Sequence, residues 1–101
     1  RLFISTSTPT DEMNQILDRR EIAKYFIEVH GSPEKKSAHI SKIMSKYNYH
    51  PDELIFYGDA NTDIDAAGQA NISFILIKNS FNEKLVNTFK GKIINNFIGL
   101  L

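Results

Sequence analysis

Apolar residues in this chain come in two alternating textures. Some form short unbroken runs closed by turn residues; others recur every three or four positions. RLFIST (1–6) is the first run and predicts a buried strand ending in a polar cluster. A helix start follows in STPTDEM: Thr8 is the expected N-cap, Pro9 the first helical residue, and Asp11 and Glu12 complement the dipole. Met13, Ile16 and Leu17 give that helix an apolar face. YFIEVHG (25–31) predicts a second strand, stopped by Gly31, Ser32 and Pro33. Ile40, Ile43, Met44 and Tyr47 predict a helix over 34–47, with Lys35, Lys36, Lys42 and Lys46 mostly elsewhere on the wheel. After YNYHPDE, a connection, come a strand LIFYG (54–58), a small-residue helix (62–70) and a strand SFILIK (73–78). A helix over 82–89 and KIINNFIGLL, a short strand leading into a terminal turn, complete the chain.

Strands alternate with helices, and the strands are apolar throughout rather than on alternate residues. That is the pattern of an α/β fold whose parallel sheet is covered on both faces. Ligands bind such sheets beyond the carboxyl ends of the strands. The positions to inspect are therefore 5–7, 30–32, 58–63 and 78–80.

Composition narrows the function. At 101 residues the chain makes one small domain. Formal charge is zero, without a basic block, which argues against a nucleic-acid surface. The absence of cysteine excludes disulfides, thiolate catalysis and cysteine zinc sites. No apolar run is long enough to span a bilayer and no signal-peptide pattern opens the chain, so a cytoplasmic protein without a membrane partner is expected.

LIFYGDANTDIDAAG (54–68) carries the sharpest question, because Asp59 and Asp63 stand at the mouth of a buried strand. A hard cation such as Mg2+ takes a few carboxylate oxygens plus water and usually shares its shell with phosphate. The plainer alternative is a strand–turn–helix in which Asp59 caps the following helix and Asp63 meets its dipole. Ser5, Thr6, Ser7 and Thr8 could hold a phosphate oxygen, or simply end a strand. Lys35 and Lys36 are either a solvated pair or the source of a point charge for a phosphoryl group. His30, His39 and His50 lack metal-site spacing; His39 and His50 read as surface or boundary residues, and His30, at a strand end, as a minor candidate for facing a ligand.

Taken in order, a hydroxyl at a strand end, a lysine at a helix start and an acidic loop after a later strand resemble the haloacid dehalogenase-like (HAD) hydrolases, specifically their Mg2+-dependent phosphatases. LFISTSTP resembles the second motif of that family, with Thr6 the matching hydroxyl and Ser5 the fallback. GSPEKKSAHISKIM resembles the third, with Lys36 the better match and Lys35 the other candidate. LIFYGDANTDIDAAGQANISFILI resembles the fourth. The first motif, a strand ending in Asp-x-Asp, has no counterpart: the Asp-x-Asp at 63–65 falls in an expected helix. Family order puts that motif upstream of LFISTSTP, and a start at Arg1 fits a fragment that has lost it.

The resemblance implies a Rossmann-like three-layer sandwich with a mostly parallel sheet, here an incomplete HAD core over 1–101 with neither cap domain nor central nucleophile strand. The family order 3-2-1-4-5 leaves strands 2, 3, 4 and 5. Either the first strand then pairs with 54–58, or both present open edges that invite self-association. In the complete enzyme the missing Asp would form an aspartyl-phosphate on a small phosphorylated substrate. Thr6, Ser7 and Lys36 would contact the phosphoryl group; Asp59 would hold Mg2+; Asp63 would support the metal shell or orient Lys36; Asn61 and Ala60 would shape the loop. Thr6, Lys36 and Asp63 are thus the expected catalytic residues, and Asp59 and Asp63 the expected metal residues. The fragment alone is expected to be inactive. The competing reading is a non-catalytic phosphate- or metal-binding or protein-interaction module built on the same fold.

Overall fold

The computed structural model of the chain describes residues 1–95. Five strands alternate with four helices: β1 (Leu2–Pro9), α1 (Thr10–Arg19), β2 (Phe26–Ser32), α2 (Lys36–Tyr47), β3 (Ile55–Gly58), α3 (Asn61–Ala70), β4 (Ser73–Ile77), α4 (Glu83–Thr88) and β5 (Ile93–Ile94). This is the expected α/β order, with parallel pairing throughout. The terminal turn expected after β5 lies outside the described residues.

The pairing is split. β1 pairs with β2, and β3, β4 and β5 form a second sheet in that order. Among the described residues no ladder joins β1 to β3, so of the two arrangements open to the sequence the chain adopts the one with unpaired edges. Contact between α2 and α3 ties the two half-sheets together. Leu17, Ile40, Ile43, Ala66, Ala67, Ile75 and Leu76 are the buried apolar residues, and Ala66 and Ala67 keep α3 thin enough for close packing.

Two expectations are corrected. α1 begins at Thr10 rather than after a Thr8 cap, and Pro9 occupies the N-cap position. The cause is that β1 runs on beside β2: Gly31 donates its N–H to Thr10 Oγ1 at 2.9 Å, pinning the helix start there. A Cβ on Gly31 would lie 2.3 Å from the Thr8 carbonyl oxygen, so glycine is what permits this approach. His39, expected at the surface or its boundary, is fully buried. Positions 39, 43 and 47 share the stripe of α2 that faces the sheet, and both ring nitrogens of His39 are satisfied there.

At the other end of α2, Glu28 of β2 accepts hydrogen bonds from Tyr47 Oη at 2.7 Å and His30 Nε2 at 2.9 Å, and pairs with Lys46. Lys46 foremost, then Tyr47 and His30, pull its carboxyl down to about 2. A folded-state value below the usual 4.5 means that this stabilisation is complete above 4.5 and is lost as pH falls from there towards 2. Glu28→Gln should therefore cost roughly 1.5–3 kcal/mol at pH 7. Urea denaturation across the acid range should show the variant lacking this component of acid sensitivity.

Candidate functional site

The carboxyl end of β1 is bent. Ser5 faces His30 in register, but the next pair is Pro9 with Ser32, so four steps along β1 match two along β2. Thr6, Ser7 and Thr8 form the resulting bulge, a device that redirects side chains at strand ends. The N–H of Thr8 donates to Thr6 Oγ1 at 3.1 Å, which leaves the hydroxyl proton of Thr6 available.

Lys36 opens α2, where the helix dipole disfavours a cation by a few tenths of a kcal/mol up to about 1 kcal/mol. Asp63, buried on α3, offsets this. Lys36 Nζ donates to Asp63 Oδ1 at 2.6 Å. The other oxygen of Asp63 accepts the N–H groups of Asp59 at 3.1 Å and Ala60 at 3.2 Å. Asp63, not Asp59, therefore closes the start of α3, and both of its oxygens are engaged. Gly58 is required beneath it: a Cβ there would sit 2.5 Å from Asp63 Cβ.

Asp59 is exposed on the turn after β3. Its Oδ2 accepts from Asn79 Nδ2 at 2.9 Å, and its carbonyl accepts from Asn82 Nδ2 at 3.0 Å. Asn82 also donates to the carbonyl of Ile77 at 2.9 Å and accepts the N–H of Asn79 at 2.9 Å. The turn after β4 thereby clamps the turn after β3. Among the described residues no donor reaches Asp59 Oδ1.

These segments enclose one cavity of about 290 Å³, lined by Ser5 and Thr6, Lys36, residues 56–58 of β3, Asp59, Asp63 and Ile77. Thr6, Lys36, Asp59 and Asp63 thus meet around a single space. Ser7 and Lys35 are exposed and do not line it; His30 is turned to Glu28. A larger depression of about 570 Å³ lies over Glu28, His30, Lys42 and Lys46, but its lysines are already paired with Glu28 and Glu34. The smaller cavity lies at the carboxyl ends of β1 and β3, where the free hydroxyl proton of Thr6 faces it, and is the candidate site.

Sequence reasoning did not single out Asn79, Asn82 or the Ser5–His39 contact. The only hint was position: 79 lies within one of the inspected strand ends. An oxygen ligand set for a hard cation is present in part. Asp59 offers one carboxylate beside room for water and a phosphate, a shell that Mg2+ accepts. No group of three metal-ligating side chains occurs among the described residues.

Comparison with known proteins supplies the context. The family model described as haloacid dehalogenase-like hydrolase matches residues 1–77. A phosphoglycolate phosphatase from Vibrio vulnificus is 31% identical over 86 residues, covering 80% of this chain and 38% of the relative. Its counterpart from Vibrio parahaemolyticus is 32% identical over the same shares. Among solved structures, a haloacid dehalogenase-like family hydrolase from Streptococcus pneumoniae superposes with a TM-score of 0.82 at 25% identity, over 98% of this chain and 50% of its own. A predicted phosphatase from Clostridium acetobutylicum gives 0.80 at 29% identity, over 99% and 50%. The chain spans about two fifths of the length of these curated relatives.

Proposed function

The chain belongs to the haloacid dehalogenase-like hydrolases, and from that premise we propose that it forms the phosphoryl-binding part of a Mg2+-dependent phosphatase core acting on a small phosphorylated metabolite. The observation that carries this reading is the convergence of Thr6, Lys36 and Asp59 on one cavity. Charge supports the cation. Lys36 alone is set against Asp59 and Asp63, so the lining sums to one negative charge and would repel a phosphate. A divalent ion at Asp59 reverses that sign; once bound, it neutralises phosphoryl oxygens so that an anionic nucleophile can approach.

In this reading Thr6 donates its hydroxyl proton to a phosphoryl oxygen, and Lys36 places a positive charge against the phosphoryl group. Asp63 acts through Lys36 and the loop: with both oxygens bonded it orients rather than ligates. Asn79 and Asn82 hold the carboxylate of Asp59 and its turn. The lining carboxylates are committed to these tasks, which leaves none as nucleophile. We assign that role to the Asp-x-Asp strand implied by the family, seated between the unpaired edges of β1 and β3, both of which border the cavity.

The 101-residue chain with Mg2+ should therefore hydrolyse an aryl phosphate no faster than a Thr6→Val/Lys36→Met/Asp59→Asn variant. Fusing an apolar strand that ends in Asp-x-Asp ahead of β1 should produce Mg2+-dependent hydrolysis that is lost when its first Asp becomes Asn. Metal-dependent turnover by the 101-residue chain, absent from the triple variant, would overturn the assignment of the nucleophile.

A further inference from the structure

Ser5 and Thr6 are adjacent hydroxyls on one cavity wall, yet their protons have different fates. His39 is fully buried on α2, one turn beyond Lys36. Its Nε2 lies 3.0 Å from the carbonyl oxygen of Gly31. A carbonyl only accepts, so Nε2 carries the proton and the neutral ring keeps a lone pair on Nδ1. That lone pair lies 2.7 Å from Ser5 Oγ, which must then be the donor. A hydroxyl has one proton, so Ser5 shows the cavity oxygen lone pairs alone. Thr6, which accepts from Thr8, still has its proton to give.

We propose that His39 is a positioning residue for the anion-facing wall, fixing Ser5 as an acceptor so that Thr6 is the single hydroxyl donor that β1 turns to the cavity. The proposal rests on the phosphoryl-binding reading of the cavity and deepens it. Protonation of His39 reverses the arrangement. With a proton on both nitrogens, Nδ1–H donates to Ser5, whose own proton turns outward and becomes a second donor for an anion.

The surroundings set when this happens. The ring faces Ser5 from β1 and Gly31 and the His30 ring from β2 (centroids 5.6 Å apart), and feels the charges of Glu34 and Lys42 from its own segment. Of the two acids on the neighbouring α3, Asp63 is held by Lys36 and Asp65 is exposed. Burial foremost lowers the His39 pKa below the usual 6.5, against the partial support of the Gly31 carbonyl. Ser5 is therefore an acceptor at neutral pH and becomes a donor only in acid. The same burial argues against Ser5 as a nucleophile, because a base that resists protonation in place does not take a serine proton readily.

Sulfate is the appropriate probe, being a tetrahedral dianion whose charge stays constant between about pH 5 and pH 8. Calorimetric titration of the 101-residue chain with saturating Mg2+ present should give a sulfate affinity that rises roughly three- to tenfold as His39 is protonated. Reciprocally, sulfate should raise the His39 midpoint read by imidazole NMR. Ser5→Ala should abolish the rise, and His39→Gln should abolish it as well. Sulfate binding that is flat with pH, or a rise that persists in Ser5→Ala, would overturn the proposal without touching the phosphoryl-site reading. No binding of sulfate or phosphate at any pH with saturating Mg2+ present would overturn that reading. In that case the 15N shifts of His39 still decide the positioning claim: a proton on Nε2 supports it, and one on Nδ1 refutes it.

Discussion

Lys36→Met should destabilise the chain by about 3 kcal/mol and abolish phosphate binding at the candidate site. Removing one member of a buried ion pair typically costs about 3–5 kcal/mol, because the remaining charge is left without its partner. The lower end applies here since Asp63, with a side chain only 6% exposed, keeps two backbone N–H donors. Lys42→Met is the informative control: its pair with Glu34 joins side chains that are 55% and 46% exposed, and such solvated pairs contribute little to stability. The chemistry is the same in the two pairs and burial decides the difference. A Lys36→Met/Asp63→Asn double variant should recover most of the lost stability, because the uncompensated charge is gone, but none of the phosphate binding. Urea denaturation and, with Mg2+ present, phosphate titration of the four proteins test both halves. Equal costs for Lys36→Met and Lys42→Met would mean that Asp63 does not depend on Lys36.

The elements were legible in the sequence because each depends on local pattern. β2, β3, β4 and α3 lie within a residue or two of their expected bounds, as apolar runs and small-residue spacing dictate. The start of α1 was misplaced because the deciding bond, Gly31 N–H to Thr10, links residues 21 apart. Likewise, the burial of His39 is set by Ser5, 34 residues away, and by a carbonyl on β2. Its own stripe on α2, shared with Ile43, was the available signal. The gathering of Thr6, Lys36 and Asp59 followed from the strand-end rule and from a resemblance of motifs in order. The clamp by Asn79 and Asn82 did not, since Asn-rich turns are common and only the register of β4 against β3 brings this one beside Asp59. Which strand edges pair is also invisible locally: an apolar run states that it is buried, not by what.

Leu76→Ala should cost about 2–5 kcal/mol, the range for deleting a buried leucine when its surroundings close only partly. Leu76 is 0% exposed at the centre of the β3–β4–β5 sheet, in register with Gly58 on one side and Ile93 on the other. A domain of this size has roughly 5–15 kcal/mol in total, and only seven apolar residues are buried among those described, so this one truncation removes a large share. Ile55→Ala on the neighbouring strand should cost well under half as much, because that side chain is 53% exposed. The pair of variants also tests how the half-sheets communicate. Among the described residues β1 and β3 share no ladder, and destabilisation in β4 reaches β2 chiefly through the packing of α3 on α2 and the Lys36–Asp63 bond. If those contacts make one cooperative unit, Leu76→Ala will accelerate amide exchange in β2 as much as in β4, and Lys36→Met will weaken that coupling. Retained protection in β2 would mean that the halves open separately, and that the cavity between them exists only while both are closed.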